Sequence, residues 1–268
     1  MNFQSSKSFV PPAEEAIEAA AFLSLHKLSP NSFRAKEVFD CITINGGCAI
    51  SLPNAPAIGL NRILGLGTVN DLVKAYNWMQ GRTGNRYLQL NVEAVANDVR
   101  NWLSTKGLHE HGPGWSKLTL DASLRSIDMP VRVSTRRVHA AEASQFGSMM
   151  CSGFSFPLTL SAVWSAIVGK DGWSCFFALD GETPVGTGAI YVSGSYAWLG
   201  GGTTVPEFRN RGAQKALIAA RINEGISNGV STFVVETEAP SIGRPNISYE
   251  NLRKIGFRHA YDRKNFKL

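Results

Sequence analysis

Apolar positions along this chain follow two periods, and the switches between them mark out the elements. Residues 12–28 are alanine-rich with helical spacing. Residues 38–50 alternate as strands around the turn Asn45-Gly46-Gly47. Residues 57–69 predict another strand, with Gly65 and Gly67 inside it, and Asn70-Asp71 predicts the cap of a helix running to about residue 80. A strand over 87–92, an amphipathic helix over 92–106 closed by Gly107, and a strand over 115–120 complete the first half. Residues 121–130 have the composition of a linker. The second half predicts a strand over 131–138, helices over 140–150 and 158–168, and strands over 173–179, 185–192 and 196–205. A helix over 212–228, a strand over 232–237, a helix over 248–255 closed by Gly256, and a strand over 257–268 follow.

The two halves repeat an order: three strands, helix, strand, helix, strand. Short segments match as well. Leu103-Ser-Thr-Lys-Gly107-Leu-His parallels Leu252-Arg-Lys-Ile-Gly256-Phe-Arg, and Gly65-Leu-Gly-Thr-Val69 parallels Gly201-Gly-Thr-Thr-Val205. An internal duplication changes the expected fold. It becomes an α/β protein with a mixed sheet, built as two copies in tandem over residues 1–125 and 126–268.

One segment carries chemistry. Val205-Pro-Glu-Phe-Arg-Asn-Arg-Gly-Ala-Gln-Lys-Ala-Leu217 lies between a glycine-rich apolar strand and a helix. Such a turn aims backbone N–H groups and a helix dipole at one spot, and Arg209 and Arg211 add charge, which suits a pyrophosphate. A solvated basic turn is the plain alternative. The matching place in the first half holds Asn70-Asp71, where a carboxylate repels phosphate.

Composition narrows the field. Of 268 residues, 44% are hydrophobic and 18% charged, so the chain supports a packed core and disorder is not expected. The net charge of +6 favours anionic ligands, but the basic residues are dispersed, and no basic run is interleaved with aromatics, so nucleic acid is not expected. Cys41, Cys48, Cys151 and Cys175 show no zinc spacing and suggest reduced thiols. His109 and His111 lack a carboxylate signature, so no metal is expected. Glu14, Glu15 and Glu18 interrupt the first apolar stretch, which excludes a signal peptide there, and no apolar run reaches the length of a membrane span. The expectation is a cytoplasmic protein, monomer or homodimer, with no membrane association.

Together, Arg209-Asn-Arg-Gly212-Ala-Gln-Lys-Ala-Leu217, the strand Phe233-Val-Val-Glu-Thr237 and Asn246-Ile-Ser-Tyr-Glu-Asn-Leu-Arg-Lys-Ile-Gly256-Phe257 make the second half resemble the GCN5-related N-acetyltransferase (GNAT) family. The first of these is similar to the family's R/Q-x-x-G-x-G/A loop. The repeated order further resembles tandem members in which one half is degenerate. The resemblance implies transfer of an acetyl group from acetyl-CoA to an amine, with a small-molecule acceptor. It places the pyrophosphate on Arg209, Arg211, Gly212, Ala213 and Gln214, with Lys215 adjacent, and the pantetheine arm on backbone at Thr203, Thr204 and Val205. Asn246, Ser248 and Asn251 are further cofactor candidates, although Asn246 and Ser248 equally suit helix capping. Glu236 is the first candidate base, ahead of Glu238 and Glu207, and otherwise pairs with a lysine or arginine; Tyr249 and Tyr261 are candidate acids. Residues 146–173 would form the acceptor side, with Phe154, Phe156, Trp164 and Trp173. Two positions depart from the pattern: Gln214 replaces a small residue, and Leu252 stands where many members place a tyrosine. A CoA-binding regulatory or interaction module without turnover, and a tandem-type acyl or aminoacyl transferase, are the competing functions.

Overall fold

The computed structural model describes residues 10–122, 133–241 and 243–268. Most of the expected linker, the expected strand start at residue 131 and the division at 125/126 lie outside the described residues. The first half contains α1 (Ala13–Leu28), α2 (Asn31–Glu37), β1 (Asp40–Ile44), β2 (Gly47–Ser51), β3 (Asn61–Leu64), α3 (Val69–Gln80), β4 (Tyr87–Leu90), α4 (Asn97–Thr105) and β5 (Trp115–Asp121). The second contains β6 (Ser134–Arg137), α5 (Ala143–Phe154), α6 (Ser161–Ser165), β7 (Trp173–Asp180), β8 (Thr183–Ser193), β9 (Tyr196–Thr204), α7 (Ala213–Ser227), β10 (Thr232–Glu238), α8 (Ile247–Ile255) and β11 (Arg258–Lys267).

The sequence expectation lacks α2, and the helix expected over 158–168 is a 3-10 turn at Leu158–Leu160 followed by α6; three further places differ. A 3-10 turn at Ile58–Leu60 takes the front of the strand expected over 57–69, and Gly65 ends it with φ +71°. The helix expected from residue 92 begins only at Asn97. Thr68, not Asn70 or Asp71, caps α3: its extended backbone lets the hydroxyl accept the Asp71 N–H at 3.2 Å.

Among the described residues eleven strands join one sheet in the order β1-β2-β3-β4-β11-β5-β10-β9-β8-β7-β6. In the first half β1–β2 and β2–β3 are antiparallel and β3–β4 parallel; β7–β8, β8–β9 and β9–β10 repeat that series. The parallel pairs need crossovers, supplied by α3 and α7. The halves then exchange their last strands. β5 pairs with β10, β11 pairs with β4, and β5 and β11 pair with each other, all antiparallel. Neither half completes its own sheet.

Helices cover both faces. α1, α5 and α6 share a core with the inner strands, in which Phe22 meets Trp198 at 5.2 Å between ring centroids. Ala213, Leu217, Ile218 and Ile222 of α7 and Leu252 of α8 pack with Leu199 and Phe233 in a second core. α3 and α4 bury Leu72, Met79, Val99 and Trp102 in a third. Among the described residues no helix is long and apolar enough to cross a membrane. All four cysteines are free thiols, and burial pushes Cys41 and Cys151 to about 11 and Cys175 to about 12.

The exchanged strands meet around a buried ionic cluster. α1 brings Glu15 and Glu18, β3 brings Arg62, β5 brings Lys117, β10 brings Glu236 and β11 brings Arg263. Among the described residues three cations face three carboxylates, so their charges balance. Arg62 donates to Glu18 at 2.5 Å and to both oxygens of Glu236 at 2.9 Å, while Lys117 contacts Glu18 and Arg263 bridges Glu15, Glu18 and Glu236. Burial alone would raise the Glu18 carboxyl, but Arg263, Lys117 and Arg62 hold it well below its ordinary value. Breaking one partner of such a pair costs about 3–5 kcal/mol, because the other charge stays buried.

Candidate functional site

The site begins where β9 leaves β10. The two strands pair only over Tyr196–Trp198 against Thr232–Val234. Beyond that β9 stays on β8 as far as Thr204, through a register shift between Thr187 and Ala189. Gly201, with φ +60°, sits at this irregularity in a conformation that suits glycine. A gap therefore opens in the sheet on the C-terminal side of the parallel pair.

The chain next makes a 3-10 turn at Pro206–Phe208 and enters α7 through Asn210 (φ +62°) and Gly212 (φ +93°). Gly212 is the N-cap, and no side chain caps the helix. The first turn of α7 thus presents free N–H groups and the positive end of its dipole to whatever lies in front. A groove of about 600 Å³ lies there, lined by Thr203, Thr204, Arg209, Gly212, Ala213, Gln214, Lys215, Ser248 and Asn251, with Phe154 and Phe208.

A second cavity of about 460 Å³ continues it, with Phe154, Gly202, Gln214 and Ser248 lining both. Its walls come from both halves. Phe22, Ile58, Leu60 and Trp115 belong to the first, and Phe156, Trp164, Trp198 and Val235 to the second. Glu236, Glu238 and Asn246 line one side and Arg221 another. The indole N–H groups of Trp164 and Trp198 have no partner among the described residues.

The candidates from sequence scatter over this geometry. Thr203, Thr204, Arg209, Gly212, Ala213, Gln214, Lys215, Ser248 and Asn251 share the groove. Val205 follows β9, lines neither the groove nor the cavity behind it, and donates its N–H to Val185 O at 2.9 Å. Arg211 turns away to Asp180 at 3.0 Å, its guanidinium 4.9 Å from the Phe208 ring centre. The long side chain of Gln214 is held on α8: its amide donates to Ser248 at 2.8 Å and accepts from Asn251 at 2.6 Å. Asn246 caps α8 and ties it to β10 through Glu238 O at 2.7 Å and Thr237 Oγ1 at 3.1 Å. Glu236 faces the cavity, but both oxygens accept from arginine. Glu238 is exposed and Glu207 stands on the outer turn.

Neither tyrosine lines the groove or the cavity. Tyr249 packs into the core beside His259, with 6.4 Å between ring centroids. Tyr261 donates to Glu15 at 2.7 Å in the first half, and burial together with the Glu15 charge pushes its hydroxyl far up. Of the expected acceptor-side aromatics, Phe154, Phe156 and Trp164 line the cavity, while Trp173 packs in the core.

Sequence reasoning missed the first-half wall and Arg221. The run Ala57–Leu60 carries no chemical signature, and only the fold brings it to the second half. Arg221 did have a signal, a cation within the apolar series Leu217, Ile218, Ala219, Ala220 and Ile222.

No protein-family model matches this sequence, and no curated protein matches it. Solved structures do. A GCN5-related N-acetyltransferase from Kribbella flavida superposes with a TM-score of 0.61 at 14% identity, over 94% of this chain and 95% of that one. Another from Sphaerobacter thermophilus gives 0.60 at 14%, over 97% and 94%. A tandem GNAT protein from the clavulanic acid biosynthesis pathway gives 0.57 at 14%, over 97% of each chain. The chain therefore has a mixed α/β fold like that of the GCN5-related N-acetyltransferases.

Proposed function

We propose that this protein transfers an acetyl group from acetyl-CoA to the amine of a small molecule, in the second of two tandem GNAT-like units. One observation carries the reading: the uncapped N-terminus of α7 opens on a groove that continues into the gap between β9 and β10. A helix N-terminus with free N–H groups suits a pyrophosphate, and an open strand edge suits the amide groups of a pantetheine arm. In this reading Arg209, Gly212, Ala213, Gln214 and Lys215 hold the pyrophosphate. Arg211, occupied by Asp180, contributes only its field. Thr203 and Thr204 offer backbone to the arm, and Ser248 and Asn251 bound it from α8. The acceptor enters from the side of Phe22, Ile58 and Trp164, so the first unit shapes its cavity. Glu236, held between Arg62 and Arg263, orients the ammonium, and Glu238 takes its proton.

Calorimetry with acetyl-CoA tests the premise: saturable binding is expected, and its absence would refute the reading. Thiol release across an amine panel tests turnover. Apolar and aromatic amines are expected to react, given the aromatic walls. The arginine contacts that occupy Glu236, and Leu252 in place of a tyrosine, favour one competing reading, a CoA-binding module without turnover. Tight acetyl-CoA binding with no thiol release from any amine would support it.

A further inference from the structure

Among the described residues, one charge in the cavity has no counterpart. Arg221 of α7 is 3% exposed. Its Nε donates to Leu217 O at 2.9 Å, and Nη1 donates to Gly200 O at 3.0 Å and Ala189 O at 3.3 Å. Nη2 has no hydrogen bond among the described residues and lies 3.2 Å from where a Cβ on Gly202 would stand. No carboxylate among the described residues is within ion-pair distance, whereas the other buried cations, Arg62, Lys117 and Arg263, each hold one or more. Burial pushes Arg221 down to about 10, with no opposing charge to restore it. A neutral donor could satisfy the same carbonyls without a desolvated charge, so the charge itself calls for an anion.

Its place in the fold indicates which anion. Gln214, Ile218 and Arg221 line the cavity from one stripe of α7. Arg221 lies eight residues beyond Ala213, about 12 Å down the helix axis. A pantetheine arm spans about as much as four extended residues, on the order of 14 Å. An arm entering at the α7 N-terminus brings its sulfur to that depth. Leu252, in the same cavity, has no proton to give. The other charged groups facing the cavity are Glu236 and Glu238 of β10, and Glu236 is paired with Arg62 and Arg263.

We propose that Arg221 is a catalytic residue that receives the leaving thiolate of CoA; this rests on the acetyl-CoA reading above. The neutral amine's lone pair forms the C–N bond, and the C–S bond breaks with its electron pair on sulfur. Arg221 Nη2 donates a hydrogen bond to that thiolate. The nitrogen's surplus proton passes to Glu238 and then to water, and the thiolate is protonated by solvent on release.

Bound CoA tests this without any acceptor, because a thiolate absorbs in the ultraviolet where a thiol does not. CoA is titrated on the wild type, Arg221→Lys and Arg221→Met, with desulfo-CoA as the blank, after calorimetry has established binding. The wild type is expected to ionise bound CoA at least one pH unit below free CoA, about tenfold more thiolate at a given pH. Arg221→Lys keeps most of that gain and Arg221→Met loses it. Bound CoA that titrates like free CoA, or identically in wild type and Arg221→Met, overturns the assignment while leaving CoA binding intact. Absence of CoA binding to the wild type overturns the underlying reading as well. Should Arg221→Met fail to fold, the wild type against free CoA and Arg221→Lys still decides.

Discussion

Two crossover helices in this protein, α3 and α7, each follow the first strand of a parallel pair, and their N-termini are finished in opposite ways. At α3, Thr68 caps the helix, and Asp71 is buried and accepts from Thr68 Oγ1 and Asn45 Nδ2, each at 2.8 Å. At α7, Gly212 leaves the first turn uncapped. The openings beside the two parallel pairs differ likewise. The gap beyond β9 is a cavity of about 460 Å³, while the one beyond β3 is about 50 Å³, bounded by Pro12, Glu15, Tyr261 and Arg263. The same topology is closed and self-satisfied in one half and open in the other. A ligand site therefore depends on which polar groups the fold leaves without a partner.

The largest effect is expected where the halves interlock. Lys117→Met leaves Glu18 short of a buried cation and should cost about 3–5 kcal/mol in urea unfolding. A loss under about 1 kcal/mol would mean that the cluster does not hold the exchanged strands together. Next, Gly212→Asp gives α7 a left-handed non-glycine residue and a carboxylate where α3 has Asp71 nearby. Acetyl-CoA affinity should fall by about 30-fold or more, measured calorimetrically. Unchanged affinity would end the contrast between the helices. Thr68→Ala should cost about 1 kcal/mol of stability and leave acetyl-CoA binding unaltered, since α3 binds nothing in this reading. Smallest is the arginine pair: Arg209→Ala should weaken acetyl-CoA by about fivefold and Arg211→Ala by under about twofold, because Asp180 already holds Arg211 on the exposed surface. The reverse order would put Arg211 on the phosphate.

Acid sharpens the first of these. The Glu15 and Glu18 carboxyls are held below their ordinary values, burial opposing and the cations Arg263 and Lys117 prevailing. Depressed folded values make the stabilisation complete above the unfolded carboxylate range, near pH 4–5, and lost as pH falls through the folded values. Denaturation midpoints should therefore drop on acidification below about pH 4. Glu18→Gln should start less stable at pH 7 and lose less between pH 7 and pH 3.

Much of the second half was legible because its signals are local. The turn at Gly212, the cap at Asn246 and the strand at residues 232–238 each depend on neighbours a few positions away, and the groove residues other than Gly153 and Phe154 fall within two short segments. The cap of α3 was misplaced by two residues because Thr68, Asn70 and Asp71 all suit the role, and only backbone geometry selects among them. Glu236 was legible as a carboxylate facing the site, but its arginine partners lie 174 and 27 residues away.

The sequence by itself determined the elements and their order, since helix and strand periods and glycine turns act over a few residues. It also singled out the stretch from Val205 to Leu217 as a candidate anion cradle. Only the tertiary structure decided that β5 and β11 change places, because both are amphipathic strands that would pair acceptably within their own halves. That exchange turned Glu15 and Glu18, which in the sequence served only to break an apolar stretch, into the counterions of three buried cations. It also brought residues 57–60 and Trp115 to the wall of a cavity in the other half. The physical reason is the range of the forces: backbone preference is settled by neighbours in the chain, whereas charge neutrality in a buried core is settled by whatever the fold brings together.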